Sequence, residues 1–233
     1  MLSFYVSTVA GAMAKVDKPT EQFVATIFPF LSRSFKSKVS EYKLASYMIA
    51  SQLALKVKLK GDITDELIYK MIKGADSNLL NSLLSSIAVI FSVQNTSSLK
   101  AKTWSSLLKT ENLANGLAEM QANGVSCDKL ISTIVTAVFR RVFASRNIIA
   151  QKMDTDDQGI AGEEEEDPSW LLPLLDELFV SSEISFSASL TAILTSNLLS
   201  MFCVAYEADH HAKKALDLLK DPITVLAKRL VLY

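Results

Sequence analysis

The stretch SEYKLASYMIASQLALKVKL, residues 40–59, constrains the fold more than any other part of the chain. It contains no Gly or Pro and reads as one helix, yet its apolar residues do not keep to one side. Tyr42, Ala45, Ile49 and Leu53 share a face at helical spacing, while Leu44, Met48 and Leu55 lie on an adjacent one. Together they exceed the apolar stripe of roughly 100° that seats a surface helix on a single neighbour. Such a helix has to be covered from several directions at once. Lys43, Ser46, Ala50 and Ala54 leave a narrow strip of small or polar residues, which is the candidate concave surface.

The rest of the chain follows the same pattern. With only 7 Gly and 5 Pro in 233 residues, and long runs rich in Leu, Ala and Ser, the chain favours helix throughout. Helices are expected over about 3–15, 20–37, 40–59, 63–73, 78–94, 103–122 (broken near Thr110), 127–151, 169–181, 184–206 and 209–231. No stretch alternates with period two between turn signals, so strands are not expected. Ser40, Asp62, Ser77 and Pro168 read as helix starts, and Pro19, Gly61, Gly74 and Gly124 as punctuation between helices.

Residues 28–57, FPFLSRSFKSKVSEYKLASYMIASQLALKV, share a shape with residues 171–200, LLPLLDELFVSSEISFSASLTAILTSNLLS. Each is a helix with an early proline (Pro29, Pro173), a short turn, and a longer apolar helix. Residues 67–93 repeat that shape without the proline. Helix pairs recurring at roughly 40 residues are the signature of HEAT-type repeats. The expected fold is therefore all-α, a HEAT-like α-solenoid of stacked antiparallel helix pairs. In it the inner helix of each pair is flanked by its neighbours, which accounts for the apolar girth of residues 40–59.

Charge is unevenly distributed. Residues 1–153 carry 19 Lys and Arg against 10 Asp and Glu, whereas residues 154–233 carry 5 against 15. Between them, DTDDQGIAGEEEEDP at 154–168 is too acidic and too poor in apolar residues to bury a core. The expected organisation is a basic block of HEAT-like repeats at 1–153, an acidic loop at 154–167, and further repeats at 168–233. The loop reads as a solvated connection, or else as an acidic tether for a basic surface.

Several function classes drop out. His210 and His211 are adjacent and so diverge by about 100° on a helix. No Gly-rich phosphate loop, GxSxG, CxxC or HExxH is present, so neither a catalytic site nor a cofactor or metal site is expected, nor a small-molecule substrate. Cys127 and Cys203 are far apart in apolar surroundings and read as buried thiols. The N-terminal MLSFYVSTVAGAMAK lacks the basic residues of a secretory leader. Two charge-free stretches, Ser77–Leu99 and Ile184–Tyr206, reach spanning length. Their many Ser, Thr, Asn and Gln residues argue against lipid, so the small helical membrane protein is the weaker alternative and no membrane partner is expected.

Cations are the remaining candidates. Arg33, Lys36, Lys38 and Lys43 cluster at the first helix-pair turn, Lys56, Lys58 and Lys60 close the next helix, and Arg140 and Arg141 sit on helix 127–151. A bland reading makes them solvated or dipole-complementing residues. A functional reading makes them contacts to a partner's phosphates along a solenoid edge, without base-specific readout.

Tyr42, Ala45, Tyr47, Met48, Ile49, Gln52, Lys56 and Val57, preceded by Phe28, Pro29 and Phe30, resemble a segment of the large HEAT-repeat U3 small nucleolar RNA-associated proteins, the HEAT repeat-containing protein 1 family. The residues that carry the resemblance lie within about 2–60, with LSFYVSTVAGAMAK as the preceding helix. The resemblance implies a non-enzymatic nucleolar scaffold of the small-subunit processome. It implies association with processome proteins and with U3 RNA or pre-rRNA, directly or through partners. Its role would be to support pre-rRNA transcription and processing toward 18S rRNA. Family members are far longer, so a fragment, a short isoform or a truncated product is expected. The alternative without the resemblance is a cytoplasmic HEAT-type adaptor.

Overall fold

In the computed structural model the breaker-poor stretches become helices. The described residues are 2–16, 19–96, 99–145, 171–181, 184–207 and the single positions 217, 220 and 224, and no strand occurs among them. In chain order the helices are α1 (Leu2–Lys15), α2 (Glu21–Ser34), α3 (Ser40–Lys56), α4 (Gly61–Lys73), α5 (Leu80–Val93), α6 (Ala101–Leu108), α7 (Leu113–Ala122), α8 (Asp128–Ser145), α9 (Leu171–Asp176) and α10 (Ala188–Glu207). A 3-10 turn, Ser77–Leu79, leads into α5, and a π-helical turn, Glu177–Ser181, continues α9. The break expected near Thr110 is present: α6 stops at Leu108, and Asn112, left-handed at φ 57°, sets up α7. The acidic segment 154–167 lies outside the described residues, as does helix 209–231 apart from the three single positions.

Some helix starts follow their own sequence. Thr20 caps α2, its hydroxyl accepting from the Phe23 N–H at 3.2 Å, and Ser187 accepts from the Leu190 N–H at 3.0 Å ahead of α10. Others do not. Val39, Lys60 and Asp76 occupy cap positions where Ser40, Asp62 and Ser77 are expected, none with a side-chain cap bond. Gly61 is the first residue of α4 and not a residue between helices.

Contacts divide the chain into two compact units, Met1–Leu130 and Ile131–Tyr233, the boundary falling inside α8. In the first unit α3 packs against both α1 and α5, and α5 against α7, making one row; α4 packs against α2 and α6, making a second. Packing of α2 against α3, and of α4 against α5, joins the rows. The result is the expected HEAT-like α-solenoid arrangement. Polar ties between neighbouring pairs join residues 33 to 40 positions apart, so the repeat length is written into the bonding.

Two ties fix α3 alongside α5. At the start of α3 the Lys43 Nζ donates to Asp76 Oδ2 at 2.8 Å. At its end Gln94, itself buried, donates through Nε2 to the Ala54 and Val57 carbonyls at 2.5 and 2.7 Å and accepts the Leu59 N–H at 2.9 Å. Gln94 thereby satisfies carbonyls that the end of α3 leaves without helical partners. A third tie serves the other row: Asp65 of α4, buried, accepts the Lys100 N–H at 2.8 Å and caps α6 from outside.

On α3 the expected apolar face of Ala45, Ile49 and Leu53 is buried, but the strip expected to be open is covered and part of the adjacent apolar face is open. Lys43, Ser46, Ala50 and Ala54 are all buried, while Met48 and Leu55 are each 52% exposed and Gln52 is open beside them. The reason is steric. Ser and Ala let α1, α2 and α5 approach closely, so the small-residue strip is where neighbours fit, and the bulkier Met48 and Leu55 are left on the open side. The same demand for closeness appears at Gly74, where a Cβ would meet the Phe35 carbonyl oxygen at 2.2 Å. Phe35 in turn stacks on Tyr47 at 5.8 Å between ring centroids.

In the second unit Phe179 links Phe139 of α8, edge-on at 6.2 Å, to Phe186, stacked at 5.6 Å. Asn197 of α10 donates to the Thr136 hydroxyl at 3.1 Å. α10 contains most of the second charge-free stretch, yet among the described residues no helix is long and apolar enough to cross a membrane. Of the two cysteines only Cys127 is buried; Cys203 is exposed, because it falls on the outward side of α10.

Three outcomes are expected. Gln94→Ala strands two carbonyls and one N–H and lowers stability by about 3 kcal/mol in urea unfolding followed by circular dichroism. Gly74→Ala forces α4 away from Phe35 and costs about 2 kcal/mol by the same measurement. Burial, reinforced by the charge of Asp128, pushes the Cys127 thiol up to about 11. At about pH 8 a maleimide therefore labels Cys203 rapidly and Cys127 only after denaturation.

Candidate functional site

The nine cations singled out in the sequence do not form one site. Arg33, Lys36 and Lys38 are exposed at the end of α2 and in the α2–α3 turn. Lys56, Lys58 and Lys60 are exposed at the far end of α3, which at 17 residues puts them about 25 Å from the first group. Lys58 and Lys60 border a groove of about 500 Å³ whose floor includes Val24, Phe28, Pro29 and Ile63. Lys60 also pairs with Glu21 at 3.1 Å, both side chains open to water, a pairing worth little once screened. On α8, Arg140 is exposed, while Arg141 is half-buried and burial pulls its pKa below the usual guanidinium value.

Lys43 has to be removed from the set. Its side chain is 8% exposed and engaged with Asp76, so it holds the stack together and offers no phosphate contact. Beside it the Tyr47 phenol is pushed up to about 12, by burial first and the negative charge of Asp76 second.

The structure assembles a cluster that reading along the chain misses. Lys73, the last residue of α4, donates to the Tyr69 hydroxyl at 3.4 Å and lies 5.7 Å from the ring centroid. Lys102, from the first turn of α6, lies 5.2 Å from the same centroid. Burial acts to raise the Tyr69 pKa, but hydrogen bonds and charge from Lys73 and Lys102 outweigh it and hold the phenol below its ordinary value. Also on α4, Lys70 reaches back to α2, lying over the Phe28 ring at 5.0 Å and donating to the Ser32 hydroxyl at 3.1 Å, and pairs with Glu66 on its own helix. A signal was available: Lys36, Lys73 and Lys109, at 37- and 36-residue spacing, end successive helices of one row. It is visible only when the chain is folded at its repeat length.

Chemically this face is a set of ammonium groups and a phenol on rigid helices, suited to binding anions. Among the described residues no group of three or more His, Cys, Asp or Glu converges to hold a metal ion, and His210 and His211 lie outside them.

A family model described as U3 small nucleolar RNA-associated protein 10 matches residues 23–138, from within α2 into α8. The match thus begins after α1 and runs well past residue 60, where the resemblance in the sequence is read most strongly. HEAT repeat-containing protein 1 of Danio rerio is 31% identical over 119 residues, 50% of this chain and 6% of the relative. The Homo sapiens protein of that name is 28% identical over 115 residues, 48% of this chain and 5% of its own. The Caenorhabditis elegans homolog is 27% identical over 111 residues, 48% of this chain and 7% of its own. The aligned part is therefore a small fraction of these relatives' length. The matched residues carry α3 to α7 entire, both ties between α3 and α5, and the Tyr69 cluster. Through them the chain belongs to the U3 small nucleolar RNA-associated protein 10 family.

Proposed function

We propose that this chain is a non-enzymatic scaffold segment in ribosome biogenesis, acting in the nucleolus as part of the U3 ribonucleoprotein of the small-subunit processome. The observation that carries the reading is the match of residues 23–138 to a family named for association with U3 small nucleolar RNA. The architecture supports it: stacked helix pairs present long, rigid surfaces that suit simultaneous contacts with several partners. In this reading the open strip of Met48, Gln52 and Leu55 on α3 meets processome proteins, and exposed cations such as Arg33, Lys36, Lys38, Lys56, Lys58 and Lys60 meet phosphates of U3 RNA or pre-rRNA. The outcome served is pre-rRNA transcription and processing toward 18S rRNA.

Affinity purification of the tagged 233-residue chain from cells, with RNA sequencing of the eluate, tests this. U3 RNA and processome proteins are expected in the eluate, and the tagged chain is expected to concentrate in nucleoli. A chain that stays in the cytoplasm and brings down no U3 RNA overturns the reading in favour of a cytoplasmic HEAT-type adaptor.

A further inference from the structure

We propose that Tyr69, Lys73 and Lys102 form a binding site for an RNA phosphodiester on the α4–α6 face; the choice of RNA over other anions rests on the ribosome-biogenesis reading above. The geometry begins with the direction of one hydrogen bond. Lys73 donates to the Tyr69 oxygen, so the phenol's own proton is directed elsewhere and remains a donor. Two ammonium groups and one O–H thus gather around a single half-buried ring, 5.2 and 5.7 Å from its centroid in the case of the cations. Among the described residues neither Lys73 nor Lys102 forms an ion pair with a carboxylate. The nearby carboxylates are already engaged: Glu66 with Lys70, Asp62 with the Lys100 ammonium at 3.7 Å, and Asp65 with the Lys100 N–H.

Helix electrostatics separate this cluster from ordinary surface lysines. Lys73 ends α4, where a cation complements the negative end of the helix dipole. Lys102 does the opposite: it is the second residue of α6, where the dipole presents positive charge and a cation is unfavourable. Its position over Tyr69, 5.2 Å from the ring centroid, offsets that cost with a contact of comparable size. An anion held between the two ammonium groups neutralises the positive charge that both bring to the ring, the same field that holds the Tyr69 phenol below its ordinary value.

The arrangement of neighbouring cations favours a polymer over a single phosphate. Lys36, Lys73 and Lys109 end or follow three helices stacked side by side, at the roughly 8–10 Å separation of packed helices. A row of point charges suits a backbone with a phosphate at every residue, whereas a phosphopeptide offers one dianion and is met by clustered Arg forks.

The test is fluorescence anisotropy of the full 233-residue chain with a mixed-sequence single-stranded RNA oligonucleotide, across a series of salt concentrations. The double variant Lys73→Gln, Lys102→Gln is expected to weaken binding several-fold and to reduce the magnitude of the log–log salt slope by about 0.7, the value for one lost phosphate contact on a single strand. Tyr69→Phe, which keeps the ring, weakens binding without changing the slope, and Lys15→Gln on α1 leaves both unchanged. Unaltered thermal unfolding of each variant shows that the fold is retained. An unchanged affinity and slope in the double variant overturns the site, as does equal competition by a singly phosphorylated peptide. A chain that binds no RNA yet co-purifies with U3 RNA overturns the site and leaves the processome role standing. One that binds RNA through these residues but recovers no U3 RNA from cells supports the site and overturns that role.

Discussion

The parallel seating of α3 on α5 is the constraint on which the first unit depends, and two polar ties set it. Apolar contact alone would leave the helices free to slide, because dispersion and burial are nearly indifferent to small shifts along an axis. Lys43 to Asp76 at one end and Gln94 to Ala54, Val57 and Leu59 at the other allow one register. An ion pair with one buried partner, as Lys43 is here, adds little net stability against an apolar replacement, and its best-attested value is specification of register. Gln94 contributes more directly, since each carbonyl it meets would otherwise be desolvated without a partner. With α3 and α5 fixed, α4 is held between them by its connecting turns, and the Asp65 bond to Lys100 carries the same register to α6.

Much of this was legible in the sequence, and the failures share a cause. Helix existence, the break near Thr110 and the repeat length near 40 follow from apolar spacing and breaker positions, which are local properties. The face of Ala45, Ile49 and Leu53 was read correctly, but the small-residue strip of α3 was read as open because periodicity identifies faces without identifying what occupies them. Ala50 and Ala54 look like an open strip to a rule that equates burial with bulk, but neighbouring backbones approach most closely where side chains are smallest. Lys43 failed for a related reason: its partner Asp76 lies 33 positions away, beyond any local pattern. Cys203 shows the limit on the exposed side, since apolar neighbours in sequence do not place a residue on the inner face of its helix.

The same logic explains the cations. Grouping by proximity along the chain joined Lys43 to Arg33, Lys36 and Lys38, although one is inside and three are outside. Grouping by repeat length instead brings Lys36, Lys73 and Lys109 into one row and puts Lys102 against Tyr69. In a solenoid, residues one repeat apart are neighbours in space, so the informative periodicity for surface chemistry is the repeat and not the helical turn.

The two rows of the first unit consequently expose different chemistry. The row of α1, α3, α5 and α7 has its apolar opening on α3, where Met48 and Leu55 are each about half exposed among the described residues. The row of α2, α4 and α6 exposes ammonium groups at helix ends and around Tyr69. Apolar surface is recognised by shape and desolvation and is almost insensitive to salt, whereas the cationic row acts through a field that salt screens within about 10 Å. Because both rows hang on the ties between α3 and α5, a change in Gln94 or Lys43 would disturb both faces together, while a change in Lys73 or Lys102 would alter one and leave the other intact. That asymmetry separates residues that make the scaffold from residues that use it.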